Sequence, residues 1–451
     1  MRMSFLDRGP KMIAGGVAAG IALFVFAPRP IVGQGAGLTL EEAVRAALAR
    51  NERSLSADAR LSAAEARVSK ARAYFLPSID ATGTYTRRAD EVTRTLSGQS
   101  YTVQSHDALS GVASLNLTLF DSKGIPGMRQ VRSARNAERS SAAEAKRRLA
   151  FEVSQAFLTT LGSQQVLEAS RRRFEFARQN YEAARARYDA GLVSVNDVTR
   201  TELERATAEM GVAQAKGDAE TAILELGYLL GDPGIVGRTL ETPDFLITRA
   251  AVSDSGAADA LIAEARGRRL DLDALRWQAK AERDLLMEPL LRWLPSIDLT
   301  SQYRYTNETG LSGQSTTWNA GVTLNWSLFD GFERNADYAE RKALARSAEL
   351  EVESALRRVD VDVRNALVSL ASQRASLRGA EVAREVAERN ATETAALYRQ
   401  GIASALQAAD ANVSLFEAEV ALVRERYGLA IAYLNFEAAL GLDPFGKEPQ
   451  R

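Results

Sequence analysis

The chain has 451 residues, 57 basic and 58 acidic, so its near-neutral balance offers no basic surface for nucleic acid. It contains no cysteine, which excludes disulfides, thiolate metal sites, cysteine nucleophiles and a lipid-modified N-terminal cysteine. A single histidine, His106, removes nearly all histidine-based catalysis and metal ligation, and no cofactor is implied.

Residues 1–35 read as a secretory signal peptide. Arg2, Arg8 and Lys11 give the positive region, and the run from Met12 to Ala27 gives the apolar core. That core is short for a spanning helix, which needs roughly 20 apolar residues. Small residues place cleavage near Gly35–Ala36. Gly15 and Gly20 have the spacing of a phosphate loop, but no Lys-Ser/Thr pair follows them. No later segment has the apolar length of a transmembrane helix.

Leu38 to Phe75 has a helical period, with Thr39 as cap and Glu41 and Glu42 at the positive end of the helix. Pro77 ends it, and the period changes to two. Ile79, Ala81, Gly83 and Tyr85 alternate with polar residues over Ser78 to Arg87. After a polar stretch, Ala113, Leu115, Leu117 and Leu119 alternate with Ser114, Asn116 and Thr118. These are strands with one apolar and one polar face. From Pro126 to Arg187 a proline-free run keeps apolar residues three, four or seven apart, a helix on the order of 90 Å long. A further helix spans Asn196 to Leu230 and stops at Gly231-Asp232-Pro233. Pro233 to Ser255 reads as an irregular connector.

A second copy follows. Ala258 to Trp293 is helical in period, and Leu294-Pro295-Ser296-Ile297-Asp298 repeats Leu76-Pro77-Ser78-Ile79-Asp80. Ile297, Leu299, Tyr303 and Tyr305 alternate with polar residues, and Trp318 to Leu328 forms the return strand. Leu328-Phe329-Asp330 repeats Leu119-Phe120-Asp121. A long helix runs to Arg399, and another spans Leu406 to Leu440. The division is therefore repeat 1 over 36–232, a connector over 233–257, repeat 2 over 258–444 and a tail over 445–451.

The segments from Tyr188 (YDAGLVSVNDVTR) and Tyr398 (YRQGIASALQAAD) match at a constant offset of 210, which aligns both their tyrosines and their glycines. Each reads as the tip of a helical hairpin, with Gly191 or Gly401 ending the first helix at φ > 0.

Strands of this length and pattern suit an outer membrane, but four cannot close a barrel. An ordinary antiparallel sheet could show the same alternation, but if these strands lie in a membrane their open edges cannot persist in hydrocarbon, and several chains must share one barrel. The two shorter helices of repeat 1, Leu38–Phe75 and Asn196–Leu230, stacked end to end, equal the long helix between them, which suggests a layer of parallel-running helices.

The order of helix, LPSID strand, LFD-ending strand, long helix, GLVSVNDV tip and helix, given twice, resembles the TolC outer-membrane efflux family across nearly all the chain after the signal. The resemblance implies a mainly α fold with a transmembrane β-barrel portion. In it, a homotrimer forms a 12-stranded barrel from four strands per subunit, continued by a periplasmic tube of helices that closes at the tips. It implies an exit duct in outer-membrane lipid that docks onto a periplasmic adaptor (membrane fusion) protein and an inner-membrane transporter, which supplies the energy. The adaptor-docking tips match Gly191, Leu192, Val193 and Ser194, and Gly401, Ile402, Ala403 and Ser404. The family's paired gate acids match Gln407 and Asp410, and only Asp410 is acidic. Its latching tyrosine and arginine match Tyr398 and Ala403, and the aspartate they engage matches Asp197. The arginine is missing, with Arg399 or Arg200 as substitutes. On this reading three copies of Asp410 form an acidic ring at the constriction, and Asp197–Tyr398 hydrogen bonds brace the tips. The plainer reading of Asp410 is an exposed helix carboxylate.

His106 reads as structural, Tyr85, Tyr303, Tyr305, Trp318 and Trp326 as interfacial or packing aromatics, Arg171–Arg173 as a solvated face, and Asp360 and Asp362 as divergent. A non-channel periplasmic coiled-coil protein is the alternative function, though it leaves the strands without a role. No nucleophile, metal cluster or phosphate loop supports an enzyme.

Overall fold

The computed structural model describes residues 37–96, 98–252, 256–309 and 312–448. The signal-peptide reading and the last three residues of the tail lie outside the described residues. The chain divides into two units, Met1–Gly37 and Leu38–Arg451, and the account below concerns the second.

Where periodicity predicts one helix over Leu38–Phe75, the chain forms two, α1 (Leu40–Arg50) and α2 (Glu52–Ala73). Thr39 opens α1 with a reciprocal cap: its hydroxyl accepts from the Glu42 amide at 3.2 Å, and Glu42 reaches back to the Thr39 amide. Asn51 makes the break. Its backbone is extended, its side-chain oxygen accepts from the Arg53 amide at 2.9 Å, and its NH2 donates to the Leu229 carbonyl at 2.9 Å. One buried side chain thus starts α2 and satisfies the end of a distant helix.

The strands are β1 (Ser78–Arg87), β2 (Val92–Leu96), β3 (Gln99–Gln104) and β4 (Asp107–Phe120). The polar stretch between the expected strands is itself a hairpin, β2 on β3, and β4 begins well before Ala113. Thr, Val and Tyr in that stretch favour strand without an apolar alternation to reveal it. The long helix α3 (Gly124–Asp189) and its return α4 (Val195–Leu230) follow. The connector is not irregular: a 3-10 turn at Pro233–Ile235, capped by Asp232, leads to α5 (Asp244–Val252), which buries Leu246 and Ala250.

Ala258 to Trp293, expected as one helix, is three: α6 (Ala258–Arg268), α7 (Leu270–Leu285) and α8 (Glu288–Leu291). Arg269 turns the chain between the first two and ties Asp271 to Asp362. Strands β5 (Ser296–Thr306) and β6 (Thr316–Asn325) precede α9 (Glu333–Arg399) and α10 (Ala405–Ala439). The return strand ends at Asn325, short of Leu328, because Trp326 turns away and donates its indole N–H to the Trp293 carbonyl at 3.0 Å.

The larger sheet is antiparallel with order β1-β4-β5-β6. Register decides its chemistry. Ile79 lies opposite Leu115, Ala113 opposite Tyr303, Tyr303 opposite Trp318, and Leu299 opposite Val322. Directly opposed residues share a face, so the alternating apolar positions of all four strands fall on one side, and Asp80, Thr82, Gln302, Arg304 and Asn319, together with Val112, fall on the other. Ile79, Trp318, Val322 and Leu324 on the apolar side are exposed. Among the described residues the outer edges of β1 and β6 have no partner strand.

The helices form a row. α3 lies between α2 and α7 over one half and between α4 and α10 over the other, and α9 packs on α7 and then on α10. Each half therefore has four helices abreast, with α2 or α4 at one edge and α9 at the other. The main core, with Phe157, Leu226, Leu246, Leu272, Leu370 and Leu434 buried, joins the halves beside the connector. Among the described residues no helix is long and apolar enough to cross a membrane.

Candidate functional site at the hairpin tips

Both tips are built alike. At the end of α3, the Gly191 amide donates to the Tyr188 carbonyl at 2.8 Å and the Leu192 amide to the Arg187 carbonyl at 2.9 Å. At the end of α9, Gly401 bonds to Tyr398 at 3.1 Å and Ile402 to Leu397 at 2.9 Å. These are Schellman turns, and they need φ of 73° at Gly191 and 78° at Gly401, which glycine adopts without strain. Leu192 and Ile402 stand exposed at the two apices.

The next helix starts with a reciprocal cap in both tips. Ser404 donates its amide to the Gln407 side chain at 2.9 Å and accepts from the Gln407 amide at 3.3 Å. Ser194 donates its amide and its hydroxyl to the Asp197 carboxylate, each at 3.4 Å. Asp197 and Gln407 are thus equivalent capping residues, 210 apart. Within one chain the Asp197 carboxylate serves its own helix and is not joined to Tyr398. The Ser-x-x-Gln and Ser-x-x-Asp patterns were the signal for this, ahead of any pore role.

Val193 and Ala403 are half-buried, and Ala403 packs on a small cluster of Tyr398, Ala405 and Ala408. Tyr398 is 9% exposed, while its counterpart Tyr188 is 45% exposed. Over Tyr398 lies Arg187, whose guanidinium is 4.8 Å from the centre of the ring and donates to the Tyr398 carbonyl at 3.4 Å. The cation that meets the tyrosine is therefore neither Arg399, which bonds Ala395 on its own helix, nor the exposed Arg200. Sequence reasoning missed Arg187 because it looked for the arginine beside the tip.

Further from the tips, α3 holds its neighbours through arginines. Arg173 pairs with Glu204 of α4 at 2.9 Å and stacks over Phe416 of α10, and Arg172 pairs with Glu419 of α10. Arg171 and Arg172 keep exposed side chains, as a solvated face would, and Arg173 is the one that departs from it. Three consecutive helix residues point some 200° around the axis, so one must turn inward.

Asp410 is exposed, and its exposed neighbours one and two turns along are Gln407, Ser414 and Glu417, spaced three, four and three apart on one stripe of α10. Glu417, absent from the sequence reading, adds a second carboxylate to that stripe. Elsewhere, His106 lies 3.1 Å from the Arg88 carbonyl in a loop. Asp360 pairs with Arg266, and Asp362 with Arg269 and Arg358. Among the described residues no group of three or more His, Cys, Asp or Glu side chains is placed to hold a metal ion.

A family model described as outer membrane efflux protein matches residues 43–232 and 261–442. The outer membrane protein TolC of Salmonella enteritidis is 24% identical over 345 residues, covering 73% of this chain and 68% of that protein. The TolC of Vibrio cholerae is 24% identical over 395 residues, covering 86% and 87%. The solved Campylobacter jejuni CmeC outer membrane channel superposes with a TM-score of 0.76 at 17% identity, covering 91% of this chain and 87% of that one. The family match takes in both repeats and both tips, and the chain belongs to the outer membrane efflux protein family.

Proposed function

We propose that this outer-membrane efflux protein works as a homotrimeric exit duct, energised by an inner-membrane transporter and joined to it by a periplasmic adaptor. The observation that carries the reading is the four-stranded sheet with one apolar, exposed face and two unpaired edges. In hydrocarbon each unpaired backbone group costs several kcal/mol, so the edges must be closed by other copies. The strand β6 of one copy meets β1 of the next, and the ring of sheets continues into a ring of helix rows.

The exposed apices Leu192 and Ile402, on paired rigid turns at the far end of the helices, suit docking of the adaptor. The stripe bearing Asp410 and Glu417 suits a cation-attracting lining at the narrow end, with Arg187 on Tyr398 restraining the tips. Division of the chain into two repeats around a connector fits this design, since each repeat supplies one strand pair and one hairpin. The alternative of a non-channel coiled-coil protein leaves the apolar sheet face without purpose.

Light scattering of the purified protein in detergent tests the reading. A protein mass of three chains supports it, and a monodisperse single chain overturns it.

A further inference from the structure

The two outer helices of the row each expose an apolar line that nothing among the described residues covers. On α4 it comprises Leu203, Met210 and Leu224, and on α9 it comprises Val361, Val368 and Val382. Both lines have heptad spacing, with Gly217 and Ala375 filling the positions that would otherwise be vacant. A residue repeated every seven along a helix keeps to one narrow seam, the pattern by which helices pack lengthwise. Met210 is 66% exposed, Leu224 61%, Val368 70% and Val382 61%, large exposures for apolar side chains.

The two lines also match in height. The hairpin tips are level with each other, because Arg187 of one touches Tyr398 of the other. Counted from the tip glycines, Met210 lies 19 residues past Gly191, and Val382 lies 19 residues before Gly401. Leu224 lies 33 past Gly191, and Val368 lies 33 before Gly401. Gly217 and Ala375 share the level between them, 26 residues from each tip. At these three levels large meets large and small meets small, successive levels lie about 10 Å apart at 1.5 Å per residue, and Leu203 and Val361 fall outside the matched span. α4 and α9 stand on opposite edges of the row, so the lines cannot meet within one chain.

We propose that the α4 line of one copy packs against the α9 line of the next copy in this register, Met210 beside Val382, Gly217 beside Ala375 and Leu224 beside Val368. The occupant of each line is a second copy of this chain, and the contact is heterologous, so it propagates around a ring until it closes. The same head-to-tail relation is the one that brings β6 of one copy to β1 of the next, so the helical seam continues the strand seam. The small Gly217–Ala375 level allows the helix backbones their closest approach midway along the seam. The inference rests on the homotrimer reading but goes beyond it, because a trimer fixes neither the facing residues nor their register.

The natural absence of cysteine makes the test direct. Met210→Cys with Val382→Cys, oxidised with copper phenanthroline in isolated outer membranes, is expected to give covalent dimer and trimer on denaturing gels. Each single variant is expected to stay monomeric, because a heterologous contact does not bring a residue against itself. Met210→Cys with Val368→Cys, offset by 14 residues or roughly 20 Å, is expected to give no cross-link, since Cα atoms more than about 7 Å apart cannot be bridged. Cross-linking only in the offset pair, or in neither pair of a protein whose mass is that of a trimer, overturns the register and leaves the trimer standing. A single-chain mass overturns both.

Discussion

Arg187 stacks on the ring of Tyr398 and bonds its carbonyl, joining the end of α3 to the end of α9 across 211 positions of sequence. The contact ties the two hairpins of one subunit at their tips, where the proposed gate would open. A partly buried cation–π contact is worth about 1–2 kcal/mol. Arg187→Ala is expected to raise the open-channel frequency in planar bilayers roughly tenfold, with Arg187→Lys intermediate. Unchanged gating in Arg187→Ala would remove the latch role.

Asp410 carries a second expectation. If the α10 stripe lines the narrow end of the duct, Asp410→Asn weakens block by multivalent cations, and Asp410→Asn with Glu417→Gln weakens it further. Block measured against cation concentration checks this. Equal block in all three proteins would place the stripe away from the ion path.

Asn51 makes a structural prediction. Its side chain caps α2 and satisfies the Leu229 carbonyl in a buried site. Asn51→Ala loses the cap and leaves a carbonyl unpaired, a cost of about 2–3 kcal/mol. A lower thermal midpoint in detergent, with hydrogen exchange raised at residues 48–55 and 226–231, is the expected result. Asn51→Asp keeps the cap, loses the donor, and is expected to fall between.

Glu437 gives the pH dependence. It is 3% exposed beneath the C-terminal turn, and one of its carboxylate oxygens has no partner. Burial pushes its pKa up from 4.5 to about 7, with Tyr433 and Arg249 pulling down and Asp443 adding to the rise. The Arg249 guanidinium also holds the Phe445 carbonyl at 3.1 Å, so the chain's end is strapped over this carboxyl. In the unfolded chain Glu437 ionises near 4.5, and in the folded chain near 7. Its contribution is therefore intact below about 4.5 and declines as pH rises to about 7, by on the order of 3 kcal/mol in all. Glu437→Gln is expected to flatten stability over that window and to remove the pH dependence of hydrogen exchange at residues 441–448, after correction for intrinsic rates. An unaltered profile in Glu437→Gln would assign the dependence elsewhere.

What could be read from the chain was what local chemistry writes locally. The tip glycines, the LPSID turns into strand and the alternation from Ile79 to Tyr85 are short-range signals, and the duplication doubled each of them. The breaks at Asn51 and Arg269 were invisible because their partners, the Leu229 carbonyl and Asp362, lie far along the chain. The β2–β3 hairpin was missed because neither of its faces is apolar enough to alternate. At the tips, Tyr398 was found by its place beside Gly401, but the arginine that covers it belongs to the other repeat. Gln407 matches a gate position by resemblance, and Ser404 three residues earlier also marks it as a helix-capping residue.

Single-channel recording of the purified mature protein in a planar bilayer tests the central claim most directly. A duct formed by trimers with restrained tips gives small, discrete, cation-sensitive openings that enlarge in Arg187→Ala. A protein that inserts in no bilayer and passes no current would contradict the exit-duct account.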